Sequence, residues 1–582
     1  MIRKLIRQML AAQVFSALTV ALCLLIDNIM TGRFLGVEAL AASVVANPLL
    51  LIIGAVGTML GAGVQVVCSR SLGRGSQEET NAGYSSALTL TAGISLAFMA
   101  LVLLFCPGLA AALGAGSEGT LHTQTQDYMR GFAIGAPASM GALVLVPFMQ
   151  MAGKSTLLIV AVLSMTVADV ALDLLNVLVF HGGMFGMGLA SSLSYYIALA
   201  ISGFYFLSRK SVFRFSPRLV TLKKVTELFK SGVPALFAMA STIVLVFVMN
   251  RILKPLGGSE ALAAFSVITS IGNAACCIVT GIGGVALTLG GILYNEEDRT
   301  GLRELTRLLA RYAVALGLCM GALLLAFAPQ LAALFMTDTG RARDMAVLGL
   351  RIYAAGLVPC CFCAELKNLY QATGRVGLTE SLSMLEGAIL PTLAAWLCSL
   401  FLGTTGAWLF FPLGEILACL AIGWLIRRKS GRWPWEGDAV LLLKPAFGAA
   451  ASDLMEADLA SLGDVTAAAE QAERFCLDRG QSPRLSSHIA LCIEEMAGNI
   501  VQHGFTADGK KPHHLSLRLL RKGDKWVLRF RDDCGAFDPV HYVPAGEQDG
   551  LGIRLVLAIA EDAKYTYSLN LNNLTLRLPT ES

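Results

Sequence analysis

Charge is what this 582-residue chain has least of. Asp, Glu, Lys and Arg make up 15% of it, against about a quarter of an ordinary soluble protein. A freely soluble single domain is excluded on that ground. Histidine is scarce over most of the length, with five of the seven lying beyond Lys444. The fourteen cysteines show no metal-ligand spacing, so no zinc module is predicted. Cys360, Cys361 and Cys363 sit inside an apolar run and read as small packing residues. There is no Walker A motif, so a P-loop nucleotide site is not expected. A net charge of +4 gives no reason to expect a nucleic-acid partner. What the chain has instead is hydrocarbon: 55% hydrophobic residues and a mean hydropathy of +0.65.

The apolar excess lies before about Arg432. About twelve runs of ~20 residues follow one another there, each long enough for a lipid bilayer. The first follows Met1-Ile2-Arg3-Lys4, but it carries Asp27 and lacks a small-residue cleavage site, so a span is predicted rather than a signal peptide. The runs come in two sets of six. Asp27–Val45 (DNIMTGRFLGVEALAASVV) returns as Met249–Val267 (MNRILKPLGGSEALAAFSV). Arg130, Gly135, Gln150 and Gly153 return as Arg351, Gly356, Gln371 and Gly374, each 221 residues later. Gly183 and Gly186 return as Gly403 and Gly406. Such a spacing indicates duplication.

Lys and Arg favour alternate loops: the start, 69–75, 209–230, 299–311 and 427–432. Roughly twenty lie there against about five in the intervening loops, which predicts both termini in the cytoplasm. Six-span repeats keep one orientation, so the halves should be related by an axis along the membrane normal with a cavity between them. The expected class is an all-α polytopic membrane protein of about twelve transmembrane helices in two parallel six-helix repeats, with a C-terminal α/β sandwich. The boundaries are 1–215 and 216–430 for the halves, 431–450 for a linker and 451–582 for the terminal domain. The eighth span is expected at 262–293. The setting is the plasma membrane of a prokaryote.

Carboxyl groups inside a bilayer are costly and mark ion or substrate sites by default. Asp27 lies late in the first span. Asp169 and Asp173 lie one turn apart in the fifth, so they share a face. Glu365 and Lys367 fall in the tenth span, Glu386 in the eleventh and Glu415 in the twelfth. A carboxyl group in a low-dielectric cavity can exchange a proton near neutral pH or bind Na+ when ionised. An exchange that alters helix packing would couple the opening of a cavity to an ion gradient.

Two six-helix halves and the opening motif Asp27-Asn28-Ile29-Met30-Thr31-Gly32-Arg33-Phe34-Leu35-Gly36, followed by Ala39-Leu40-Ala41 and Asn47-Pro48, resemble the multidrug and toxic compound extrusion (MATE) family over residues 10–430. The resemblance implies H+- or Na+-coupled efflux of small organic, often cationic, compounds. It implies that Asp27 is the first-helix acid and that Asp169 or Asp173 is the fifth-helix one, with the register between them open. One branch of the family has a glutamate in the seventh helix, and Val233–Asn250 has no acid. Glu365 is the best substitute for a second-half cation site.

Three patches stand out in the tail. Ile489–Phe505 reads as a helix ending at Gly504, with Glu495, Asn499 and His503 on one face. Phe530–Pro539 (FRDDCGAFDP) follows a strand at Trp526–Phe530. Asp549–Val556 (DGLGIRLV) is a glycine turn opening a helix, where backbone N–H groups can meet phosphates. The pair His513-His514 reads as a solvated turn. The order of the three patches resembles the GHKL ATPase superfamily, closest to its anti-sigma-factor serine kinase branch, over about Leu454–Pro579. The resemblance implies ATP and Mg2+ as cofactors. Glu495 would be the general base, Asn499 the Mg2+ ligand and His503 a motif residue. Asp533 would read adenine, Gly535, Gly550 and Gly552 would form the nucleotide loop, and Thr575 would support the adenine pocket. Residues 540–549 would be a short lid. Three readings follow: a transporter with a regulatory or serine-kinase-like domain, a membrane sensor that phosphorylates an anti-sigma-factor-antagonist-like partner, or a transporter with a dead, purely binding tail, against which the intact Glu495 argues.

Overall fold

The computed structural model describes residues 2–35, 37–115, 118–208, 211–335, 340–436, 438–444, 447–507, 513–523, 525–543 and 550–579. Most of the lid expected at 540–549 lies outside them. The first half contains α1 (Ile2–Met30), α2 (Val37–Gly73), α3 (Gln77–Ala110), α4 (Thr120–Ala133), α5 (Ala136–Met151), α6 (Ser155–Leu175) and α7 (Gly183–Leu207). The second contains α8 (Leu222–Ala275), α9 (Cys277–Asn295), α10 (Arg299–Phe335), α11 (Arg341–Ala354), α12 (Leu357–Ala372), α13 (Val376–Met384), α14 (Leu390–Ala407) and α15 (Phe410–Ser430). Among the described residues nine helices are long and apolar enough to cross a bilayer, or eleven if each of two bent pairs is one span. The helix α1 is a further 29-residue helix where the first span was expected. The eighth span is not the single run 262–293. The helix α8 is itself broken at Gly258 (φ +59°), so residues 262–275 follow that break as a separate segment, and the chain breaks again at Cys276 before α9.

The duplication reappears as geometry. The pairs α4/α5 and α11/α12 bend by 46° and 51° at matching positions. Each bend carries a glycine pressed on the last helix of its own half. A Cβ on Gly135 would lie 2.4 Å from Ser192 Oγ, and one on Gly356 would lie 2.5 Å from the Phe411 ring. Downstream, Gly153 and Gly374 both adopt positive φ, +71° and +82°, the left-handed turn that glycine permits at a helix end. Their N–H groups donate to Gln150 and Gln371 carbonyls at 2.9 and 3.0 Å. The repeated residues are therefore those that a bend or a stop requires.

The halves are bonded together at the end of the bundle nearest the C-terminal domain. Gln65 Nε2 reaches Thr288 Oγ1 at 3.3 Å. Arg70 donates to the carbonyls of Ala372 and Gln371 at 3.2 and 3.3 Å. Contact there is close because glycines line it. A Cβ on Gly232 would meet the Met59 carbonyl oxygen at 2.1 Å.

The tail folds as two layers. An antiparallel sheet in the order β1-β2-β3-β5-β4 is built from β1 (Leu454–Leu459), β2 (Leu515–Lys522), β3 (Lys525–Asp532), β4 (Asp562–Ser568) and β5 (Leu571–Pro579). The helices are α16 (Leu462–Leu477), α17 (Pro483–Asn499), the short α18 (Phe505–Ala507) and α19 (Leu551–Ile559). Alternation assigns the two faces of the sheet. Trp526, Leu528, Phe530, Leu574, Leu576 and Leu578 are buried with the helices. The opposite face carries Arg518, Lys522, Arg529 and Arg531, and it meets the acidic turn between α9 and α10. Arg531 pairs with Glu296, Lys522 with Glu297 and Arg518 with Asp298, each at 2.6 Å. Two residues form the β4–β5 turn, Leu569 and Asn570, both with φ +59°. A leucine is unusual there. Its N–H donates to the Met151 carbonyl at 2.6 Å, and Asn570 Nδ2 donates to the Gly153 carbonyl at 2.7 Å. One sheet is thus bonded to turns of both halves. The linker is fixed too: Tyr370 donates to the Val440 carbonyl at 3.0 Å, and Asp438 pairs with Arg299 at 2.9 Å.

Candidate functional site

In the first half, α1 packs against α6. This brings the Asp27 side chain into interaction with both Asp169 and Asp173. Asp169 and Asp173 are 3% and 0% exposed. Both helices run on into π-helical turns just past these acids, Thr31–Leu35 after α1 and Asn176–Phe180 after α6. Such turns are frequent at functional sites. Tyr128, also buried, feels all three carboxyls. The three acids that the sequence singled out in this half therefore form one group.

The second half is arranged differently. Glu365 is buried on α12, and its Oε2 has no hydrogen-bond partner among the described residues. It stands apart from the polar group that forms there. That group is Cys360, Glu386 and Glu415, whose ligand atoms lie within 4.8 Å of one another, with Lys367 Nζ 2.8 Å from Glu386 Oε2. Glu386 sits in a third π-helical turn, Leu385–Ile389. The sequence showed these acids one by one, but nothing in it placed Cys360 among them. All thirteen described cysteines are free.

In the tail, α17 packs against α19. Gly550 caps α19 with φ +66°. A Cβ on Gly552 would lie 1.9 Å from Glu495 Oε2, so the carboxylate rests on the start of α19. Asn499 follows Glu495 by four residues and closes the regular part of α17. The helix does not continue regularly to Gly504. A π-helical turn, Ile500–Gly504, intervenes, and His503 on it is exposed. A base, an amide and a glycine-opened helix start converge here, and that set fits Mg2+ and a polyphosphate.

The structure corrects three expectations. Asp533 lies one residue past the end of β3 and is held by the residues that precede β2. Its Oδ1 accepts from the His514 N–H at 2.8 Å and lies 3.2 Å from the His513 ring. His513 is accordingly no solvated turn, since its side chain is 5% exposed and stacks on Phe505. Asp532 is the carboxylate on the helix side, 3% exposed. It accepts from Asn572 Nδ2 at 2.8 Å and the Cys534 N–H at 3.0 Å. Burial pushes its pKa up despite those bonds. Thr575 lies on the outer face of β5, where its hydroxyl meets Arg529 Nε at 3.3 Å, so it cannot line a pocket beneath the helices. Asn572, three residues earlier, does face the helices. Gly535 is exposed, with open space where a Cβ would stand.

Known proteins match the membrane part. Multidrug export protein MepA of Staphylococcus aureus (strain NCTC 8325) is 24% identical over 380 residues, covering 64% of this chain and 82% of MepA. The solved outward-facing conformation of a multidrug resistance MATE family transporter superposes with a TM-score of 0.68 at 20% identity, over 73% of this chain and 95% of that one. A MOP superfamily transporter from Pyrococcus furiosus gives 0.67 at 20% identity, over 72% and 94%. These likenesses describe the fold. The MatE family model matches residues 13–175 and 234–385, more than half of the chain and both halves of the repeat, and the protein is a member of the MatE family.

Proposed function

We propose that the protein exports small organic compounds across a bacterial plasma membrane in exchange for H+ or Na+, and that its C-terminal domain binds ATP and Mg2+ and regulates transport. The observation that carries the first part is the meeting of Asp27 on α1 with Asp169 and Asp173 on α6. Three carboxyls gathered in a bilayer repel one another when ionised. Protons or a metal cation relieve that repulsion, and both helices leave the site through π-helical turns that can repack. A cation taken up from outside would favour one packing, and an organic substrate the other. The name of MepA supports drug-like cargo.

The meeting of α17 with the start of α19 supports the second part. Asn499 would hold Mg2+, the N–H groups opening α19 would hold phosphates, and Asp532 with Asn572 would read the base. A bound nucleotide supplies a transferable phosphoryl group. Glu495 is placed to take the proton of an attacking hydroxyl. The ion pairs to Glu296, Glu297 and Asp298 support communication between that domain and the bundle. They equally favour the inverse reading, a sensor on a transporter scaffold whose output is phosphorylation of an anti-sigma-factor-antagonist-like protein. A ligand screen on reconstituted protein, with and without ATP, separates the two. Net movement of an organic compound, altered by ATP, supports the transporter. Ligand-dependent phosphorylation without movement supports the sensor.

A further inference from the structure

We infer that the acidic pocket of the second half is built for a cation and already holds one, the ammonium of Lys367, so that no metal ion exchanges there. This deepens the transport reading above, because it takes this pocket out of cation exchange. The pocket has Glu386 on its π-helical turn, Glu415 on α15, and Cys360 and Lys367 on α12. Cys360, Glu386 and Glu415 offer ligand atoms within 4.8 Å of one another, the spacing of a cation site. Glu415 is 4% exposed, and its Oε2 has no hydrogen-bond partner among the described residues. A buried carboxylate oxygen left so is costly unless a positive charge is near. Lys367 provides that charge. Its Nζ stands 2.8 Å from Glu386 Oε2, and it also acts on Glu415.

Two carboxylates and one ammonium leave a single negative charge. One proton neutralises it, and Cys360, whose Sγ lies within 4.8 Å of a Glu415 carboxylate oxygen, stands beside it. A mobile Na+ would have to displace a cation tethered by its own chain. The ammonium loses no translational freedom on binding, whereas a free ion does. The contrast with the first half is chemical. There three carboxyls meet with a tyrosine; here an ammonium is part of the group. Two halves with the same bends and the same helix stops therefore differ in what neutralises their acids.

Radiolabelled Na+ binding to the purified full-length protein at alkaline pH tests this without reference to transport. Glu386→Gln and Glu415→Gln should leave the stoichiometry of the natural protein unchanged. Lys367→Met should raise it by one ion per chain, and adding Glu386→Gln should abolish the gain. A lower stoichiometry in either single glutamate variant, or no gain in Lys367→Met, would overturn the inference. Should Lys367→Met fail to fold, the neutral pair Lys367→Met/Glu386→Gln keeps it open to refutation. Transport by that pair should stay within about threefold of wild type, since the charges leave together. Loss as complete as that from Asp27→Asn would mean that a mobile cation used Glu386.

Discussion

The carboxylate assignments in the tail turn on single residues. Asp532 ends β3 on its buried side, and Asp533 lies one residue past that end. Asp532→Ala should weaken nucleotide binding about tenfold or more, the worth of a hydrogen bond to a charged group. Asp533→Ala should leave affinity nearly unchanged. Calorimetry on the full-length protein compares them, and the opposite ranking would restore Asp533. Glu495→Ala should keep binding but lower phosphoryl transfer about 10²–10⁴-fold, the usual effect of losing a general base. Equal turnover in the two proteins would remove Glu495 from that role. The motif in the sequence marks the loop but leaves open which of two adjacent acids faces the helices. The register that decides it, Asp532 opposite Asn572 and Leu515, is set by strands up to 40 residues away. Thr575 was misplaced for the same reason.

Helices and turns show where local pattern is sufficient and where it stops. The repeated glycines, legible in the sequence only as a duplication, sit at both bends and both helix stops, where each does a local job at its own position. The π-helical turns at Thr31–Leu35, Asn176–Phe180, Leu385–Ile389 and Ile500–Gly504 carry no comparable signature. They widen a helix by one residue, and tertiary packing selects them. The contact between α17 and α19 gives an element-level prediction. Gly552→Ala would place a methyl group against the Glu495 carboxylate. That carboxylate is the far end of a flexible side chain, so stability should change by less than about 1 kcal/mol. Phosphoryl transfer should nevertheless fall, because the base is pushed off the start of α19. A thermal melt beside a turnover assay separates these effects, and unchanged turnover would show that the contact is incidental.

The whole molecule holds one arrangement that composition could not disclose, a soluble domain bonded to turns of both membrane halves. Seen in the sequence, the acids 296–298 are a short loop and the basic strand residues a solvated face. Only the fold makes them partners. Burial alone would raise the Asp298 carboxyl, but Arg518 and the Gly301 N–H more than offset it and hold the carboxyl below its usual range. Its contribution to docking is therefore present at neutral pH and is lost as the pH falls through that depressed value, below about 4. Glu296→Lys with Glu297→Lys should free the domain at neutral pH, read as faster protease cleavage near the linker at 431–450. Unaltered cleavage would mean that the hydrogen bonds at Met151 and Gly153 suffice. The claim on which most depends is that the carboxyls of α1 and α6 exchange a cation as the bundle changes sides. Efflux from vesicles under an imposed H+ or Na+ gradient measures it directly, comparing wild type with Asp27→Asn. The account predicts gradient-driven efflux in the first and none in the second at equal membrane abundance; gradient-driven efflux at the wild-type rate in Asp27→Asn would contradict it.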